Sequence, residues 1–130
     1  MRITLKNDLD LIRAILEEVE SWPDAGGKIV EVAGWPESVV ARHVERLCND
    51  GLLDFGAKAP DLETGIPHIS VKDMSSRGHE FLGAIRAGDA LERLKSALKP
   101  SELAALSLGK LAGIAGELAE KAIRKKLGLD

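Results

Sequence analysis

The sequence contains few aromatic residues. Phenylalanine and tryptophan make up 3% of the 130 residues, and tyrosine is absent. Proteins that bind single-stranded nucleic acid stack bases on aromatic rings, so this composition argues against that class. The single cysteine, Cys48, has no partner for an internal disulfide, which predicts a reducing compartment.

Long apolar runs are also missing. No uncharged stretch reaches the roughly 18 apolar residues that a membrane-spanning helix needs. The first residues, MRITLKNDLDLIR, lack the apolar centre of a signal peptide. We therefore expect no membrane span and a cytoplasmic location.

Charge is distributed unevenly along the chain. Residues 1–65 carry 7 basic and 13 acidic side chains, whereas residues 66–130 carry 11 basic and 8 acidic ones. Phosphate contacts supply most of the non-specific affinity for DNA, so a DNA-binding half is normally the basic one. Here the first half is acidic, and the recognition elements described below fall in it.

Helical periodicity predicts a first helix over residues 8–21, which Asn7 or Asp8 can cap. Its apolar stripe consists of Leu9, Ile12, Ile15, Leu16 and Val19. Charged residues occupy the opposite side, as in a helix with one buried face. The alternating residues 28–32, KIVEV, then predict a short strand.

A second helix is predicted over residues 36–50. Pro36 suits its first turn, and Asn49-Asp50-Gly51 is a strong stop signal. One face is apolar and consists of Val39, Val40, His43, Val44 and Leu47, with the histidine expected to be half-buried. Only about 18 residues separate the preceding strand from Gly51, which leaves room for one helix. The first helix of a helix-turn-helix pair should be absent or reduced to a turn at residues 34–36.

A hairpin and a further helix complete the pattern. Strands 52–58 and 68–72 flank a loop rich in proline, glycine and acid, and Ser75 or Ser76 caps the helix that follows. Helix, stop, hairpin and helix is the order of a winged helix. We predict the α+β class: a winged helix with a small three-stranded antiparallel sheet over residues 1–98, and an added C-terminal helix.

The added helix, assigned to residues 101–128, is rich in small residues. It is predicted to run unbroken from Ser101 to about Leu127. Each internal glycine costs roughly 1 kcal/mol relative to alanine, which close packing of another helix would offset. The candidate packing stripe consists of Leu108, Leu111, Ala115 and Leu118. Three partners stay open: the chain's own first helix, a second copy in a homodimer, and a membrane surface attracted by the basic end.

Three blocks of sequence resemble a known family. They are NDLDLIRAILEEVE at 7–20, ARHVERLCNDGLLD at 41–54 and SSRGHEFLGAIR at 75–86. All three are similar to the YjcQ-like winged-helix proteins, a small bacterial and prophage family of unknown function. The resemblance covers residues 7 to about 98. It implies a winged-helix fold and an association with phage, and it transfers no catalytic residue.

The second helix and the wing form the candidate interaction face. Arg42, Arg46 and Asn49 are residue types that read base edges, and Lys58 lies at the wing. The helix nevertheless carries three acidic residues against two basic ones. We therefore favour an unknown protein as the partner. A DNA-binding transcriptional regulator, using helix 36–50 and the wing at residues 56–67, is the alternative.

No pattern typical of an enzyme is present. Ser75, Ser76 and His79 are close in sequence, but a serine at a helix start is explained as a cap. His43 and Cys48 are five residues apart and do not share a helix face as metal ligands would. There is no phosphate loop and no dinucleotide motif. We expect a non-enzymatic binding module without metal or cofactor, acting as an accessory factor of a phage or mobile element.

Overall fold

The computed structural model describes residues 8–129 except 25, 60–61, 64, 66–67 and 88. The described elements are α1 (Leu9–Glu20), β1 (Lys28–Ile29), α2 (Glu37–Asn49), β2 (Leu53–Ala59), β3 (His68–Met74), α3 (Ser76–Arg86), α4 (Ala90–Ala97), α5 (Pro100–Ala105) and α6 (Leu108–Lys126). We call α1–α4 together with the sheet the body.

The three strands form one antiparallel sheet with β3 in the centre, between β1 and β2. The predicted hairpin is confirmed, with Leu53 opposite Met74 and Ala59 opposite His68. Strand β1 pairs at only two residues, so the prediction of a strand over 28–32 is too long. Val30 is buried, and the chain leaves the ladder where this side chain enters the core.

The apolar stripe of α1 is confirmed as the centre of the core. Its five residues are all almost completely buried, and α1 contacts β3, α2 and α3. Asp8 caps the helix, because its carboxylate accepts hydrogen bonds from the backbone N–H groups of Asp10 and Leu11. Asn7, the other predicted cap, lies outside the described residues.

His43 is completely buried, which corrects the expectation of a half-buried residue. Its Nε2 accepts the backbone N–H of Asp8 at 3.0 Å, and its Nδ1 lies 2.8 Å from the carbonyl oxygen of Val39. A neutral ring with its proton on Nδ1 satisfies both contacts, since one nitrogen then donates and the other accepts. His43 thus joins the start of α1 to α2.

A single helix lies between β1 and β2, as predicted, and the residues just before it form only a turn. Helix α2 ends at Asn49, and Gly51, two residues later, has φ +78°. The next N–H, that of Leu52, returns to the carbonyl of Leu47 at 2.8 Å, which is the hydrogen bond of a Schellman motif. These features agree with the predicted winged helix.

Ser75 fixes the start of α3 against the end of α2. Its hydroxyl donates to the carbonyl of Gly51 at 2.6 Å and accepts from the N–H of Gly78 at 3.1 Å. Gly78 packs so closely on Leu52 that an added Cβ would overlap the Leu52 carbonyl oxygen. The position therefore requires glycine.

The prediction of one unbroken C-terminal helix is wrong. The chain breaks at Leu106-Ser107 into α5 and α6. Ser107 caps α6 by accepting the N–H of Lys110, while the carboxylate of Asp50 accepts the N–H of Leu108 at 2.8 Å. Helix α6 packs against α3 and α4, not chiefly against the first helix as one of the open alternatives proposed.

Candidate functional site

The predicted interaction face lies along the exposed side of α2 and beside β2. We call Arg42, Arg46, Asn49 and Lys58 the α2 face. Arg42 and Asn49 are exposed, and Arg46 is half-buried. The apolar side of α2 is held in the core, so these polar side chains are fixed on the opposite side.

Glu45 lies among the cations of the α2 face. Its carboxylate accepts a 2.6 Å hydrogen bond from the Lys58 ammonium. This bond, and the charges of Lys58, Arg42 and Arg46, lower the pKa of Glu45, so the carboxylate stays ionised. The ion pair joins α2 to the hairpin and neutralises the one cation that the wing strand β2 contributes.

Further carboxylates surround the end of α2. Asp54 and Asp73 face each other directly across the hairpin, and both are exposed. Asp54 and Glu45 also lie near Cys48. The pKa of the Cys48 thiol is raised to about 11, mainly by burial and to a lesser extent by these two carboxylates. Carboxylates therefore lie among the cations of this region, whereas a basic patch free of acid would favour the DNA-binding alternative.

Two further cations, Lys72 and Arg77, follow on β3 and α3. The Arg77 guanidinium donates to the backbone carbonyl of Asp50 at 3.3 Å and lies next to Gly109 at the start of α6. Arg77 therefore belongs to the junction between α2 and α6. Lys72 is exposed on β3.

The stripe predicted for self-association packs within the chain. Leu108, Leu111 and Ala115 are almost completely buried, and Leu118 is half-buried. Their contacts are with α3 and α4, so a second copy could reach the first three only if α6 left the body. Self-association through this stripe stays a prediction.

Two glycines of α6 do not have the close packing that was predicted for the small residues. A Cβ added to Gly113 or Gly116 would meet no atom of the described residues within 4 Å. A Cβ on Gly109 would meet the Arg77 side chain at 2.7 Å, which is the end of a flexible side chain. Gly113 and Gly116 thus face outwards, whereas Leu108, Leu111 and Ala115 face the body.

An apolar cleft beside the start of α2 was not predicted from the sequence. Its volume is about 260 Å³. The apolar residues that line it are Ile29, Val30, Val32, Trp35 and Val40. Two carboxylates, those of Glu31 and Glu37, line it as well. Trp35 at the turn before the helix was the available signal, because a half-exposed tryptophan is common at protein contacts.

The side chains considered for catalysis have structural roles or are exposed. The Ser75 hydroxyl is engaged by Gly51 and Gly78, and the exposed His79 makes no side-chain hydrogen bond to a serine within the described residues. The thiol of Cys48 is half-buried, and its raised pKa keeps it protonated at neutral pH. Among the described residues, no group of three or more histidine, cysteine or acidic residues is placed to hold a metal ion.

A family model described as a hypothetical protein (DUF2513) matches residues 6–103. No curated protein matches the chain, and neither does any solved structure. The matched range contains the α2 face and the apolar cleft and ends within α5, so α6 lies beyond it. No helix in the described part of the chain is long and apolar enough to cross a membrane.

Proposed function

We propose a binding function for this chain, which belongs to the DUF2513 family of hypothetical proteins. Its partner is another protein, and it catalyses no reaction. The proposed contact surfaces are the α2 face and the apolar cleft beside the start of the same helix. The proposal extends to a cytoplasmic accessory role for a phage or mobile element, which the resemblance to YjcQ-like proteins supports.

The apolar cleft carries the proposal. Protein interfaces combine an apolar, often tryptophan-containing centre with a polar rim, whereas DNA interfaces are strongly basic. Here Trp35 and Val40 line the cleft, and Arg42 and Asn49 are exposed on another side of the same helix. The carboxylate of Glu37 lines the cleft and would repel phosphate.

The charges of the α2 face also favour a protein. Lys58 is paired with Glu45, and the acidic pair Asp54 and Asp73 lies at the base of the hairpin. A mixed set of charges suits a polar rim, because each sign can meet its opposite on a partner. A continuous phosphate backbone offers only one sign.

Arg42 and Asn49 keep the DNA-binding regulator as the second candidate. Both are exposed on the helix that precedes the hairpin, and Arg42 makes no ion pair within the described residues. This is where a winged helix places base-reading side chains.

Duplex affinity distinguishes the two candidates. Fluorescence anisotropy with random-sequence duplex in near-physiological salt should give an affinity weaker than the ~10⁻⁴–10⁻⁶ M common for non-specific binding. Micromolar or tighter binding that weakens steeply with salt and is reduced by Arg42→Ala would establish the regulator instead. Lys126→Ala, which removes a cation far along α6, is the matched control.

Partner capture tests the protein-binding surface itself. Arg42→Glu and Glu37→Lys change exposed side chains and should each leave the fold intact. A partner retained from the native host by the intact chain should be lost with both variants and kept with Lys126→Glu. Retention by all four proteins would place the contact elsewhere.

A further inference from the structure

A groove lies between α4 and the second half of α6. Helix α6 packs on the body as far as Ala119, but its residues from 120 onwards are all exposed. The groove opens between this projecting half and α4, with a volume of about 620 Å³. Clefts of this size take several side chains or a small ligand.

The groove has an apolar lining of mostly small side chains. Ala87 and Ala90 line it from the side of α4, and Leu118 and Ala122 line it from α6. Alanines allow a further helix to approach closely, because helix axes come nearest where the side chains between them are small. Leu118, which is half-buried, offers a larger apolar contact in the same lining.

Cations stand on both sides of this lining. Arg93 projects from α4, and Lys121 and Lys125 project from α6, one helical turn apart. The acidic lining residue is Asp89, whose carboxylate lies 3.6 Å from Arg93. Lys121 and Lys125 make no ion pair in the part of the chain that the structure describes. The groove therefore has a basic rim and an apolar lining.

We propose that this groove binds an acidic amphipathic helix of a partner protein. The inference rests on the protein-binding function proposed above and names a second contact surface for it. The apolar stripe of the incoming helix packs on Ala90, Leu118 and Ala122. Its flanking glutamates or aspartates pair with Arg93 on one side and with the two lysines on the other.

The concave shape and the charge select this occupant. A basic helix would be repelled by the rim, and a nucleic-acid strand would leave the apolar lining unfilled. A bilayer is too flat to enter the groove and would instead meet the exposed Ile123 and Leu127 at the end of α6. Membrane binding is therefore a different outcome with a different set of residues.

The test uses the full chain and a synthetic peptide. The probe is an acidic amphipathic helix of about 16 residues, with leucines at i, i+3, i+4 and i+7 and glutamates on both flanks. Titration into the ¹⁵N-labelled protein should shift the amide resonances of Arg93, Leu118 and Ala122. A peptide with lysines replacing the glutamates should not bind.

Paired charge reversals locate the contact. Lys121→Glu with Lys125→Glu should weaken peptide binding by roughly tenfold or more. Lys110→Glu with Lys126→Glu makes the same charge change on exposed positions of the same helix outside the groove lining, and should leave the affinity within about twofold. Equal losses of peptide affinity in both double variants would show that only the net charge of the protein matters, which would overturn the proposal.

Other outcomes separate this inference from the general function. Absence of binding at millimolar peptide concentration would overturn the groove proposal. Amide shifts confined to the α2 face would overturn it as well, but they would leave the proposed protein-binding function standing. Sedimentation with phosphatidylcholine vesicles containing about 30% phosphatidylserine provides the membrane arm. Vesicle binding that is lost in Ile123→Asp with Leu127→Asp, without peptide binding, would assign the end of α6 to a membrane.

Discussion

Helices α3 and α6 pack against each other, yet one glycine of α3 and two glycines of α6 have opposite meanings. In α3, Gly78 lies against the backbone of Leu52, where no Cβ fits. In α6, Gly113 and Gly116 face open space. The first glycine is required by the fold, whereas the other two cost helix stability, and no contact among the described residues offsets that cost. A glycine inside a helix therefore indicates close packing only where the structure shows a neighbouring group against it.

The two halves of α6 also differ in how far they are packed against the body. The first half contributes Leu108, Leu111 and Ala115 to the core, although it lies beyond the range that matches the family. The second half is exposed from residue 120 onwards, and it ends in a turn at Gly128, where the N–H of Leu129 returns to the carbonyl of Arg124 at 2.9 Å. We infer that the first half completes the body and the second half presents a surface.

The largest expected effect is at the required glycine. Gly78→Ala should lower the free energy of unfolding by about 4 kcal/mol or more, because the new methyl overlaps the Leu52 carbonyl oxygen. Gly83→Ala is the matched control in the same helix, since its Cβ meets nothing within 4 Å, and it should stabilise the protein by about 1 kcal/mol. Urea unfolding measures both. Similar unfolding free energies for the two variants would show that Gly78 is no more tightly packed than Gly83.

A second pair of variants tests the division of α6. Leu111→Ala should cost about 3 kcal/mol, because the side chain is fully buried and leaves a cavity. Ile123→Ala should change the stability by less than about 0.5 kcal/mol, because more than half of that side chain is exposed. The same unfolding experiment applies. An equal loss from Ile123→Ala would show that the second half is also covered.

The attachment of α6 to α2 should have a smaller effect. Asp50→Ala removes the carboxylate that accepts the N–H of Leu108 and should cost about 1 kcal/mol. Asp50→Asn keeps an oxygen acceptor at the same place and should lose less. If the asparagine variant is as unstable as the alanine variant, the cap is not the reason for the loss.

The smallest expected effect is a gain at the outward glycines. Gly113→Ala and Gly116→Ala should each stabilise the protein by about 0.5–1 kcal/mol, because alanine favours the helix and the added methyl meets no neighbour. Thermal unfolding at several protein concentrations is the measurement. Destabilisation that depends on concentration would reveal a dimer contact at these glycines and revive self-association on a different face of α6 from the predicted leucine stripe.

The parts of the fold that were predicted correctly depend on contacts close in sequence. Gly51 ends α2 through hydrogen bonds within its own last turn, and Ser75 caps α3 three residues on. The break before α6 was missed because one of its two caps, Asp50, lies 58 residues earlier. The depth of His43 was missed for the same reason, since its partner Asp8 comes from another helix.

In the candidate site, too, features that follow from local sequence were predicted, and features that depend on packing between separate elements were missed. The exposed side of α2 was predicted from periodicity, and Arg42 and Asn49 lie there. The pairing of Lys58 with Glu45 depends on how the hairpin folds back over α2, which spacing along the chain does not reveal. The apolar cleft and the groove beside α6 likewise arise from packing between separate elements.

Residue-resolved amide hydrogen exchange along α6 tests the central claim most directly. If the first half belongs to the core, the amides of Leu111 to Ala115 should exchange only through global unfolding, while those from Lys121 to Lys126 should exchange far faster through local opening. Strong protection along the whole helix would mean that the second half is covered in solution. Fast exchange throughout would mean that α6 is not part of the folded body, which would contradict the account.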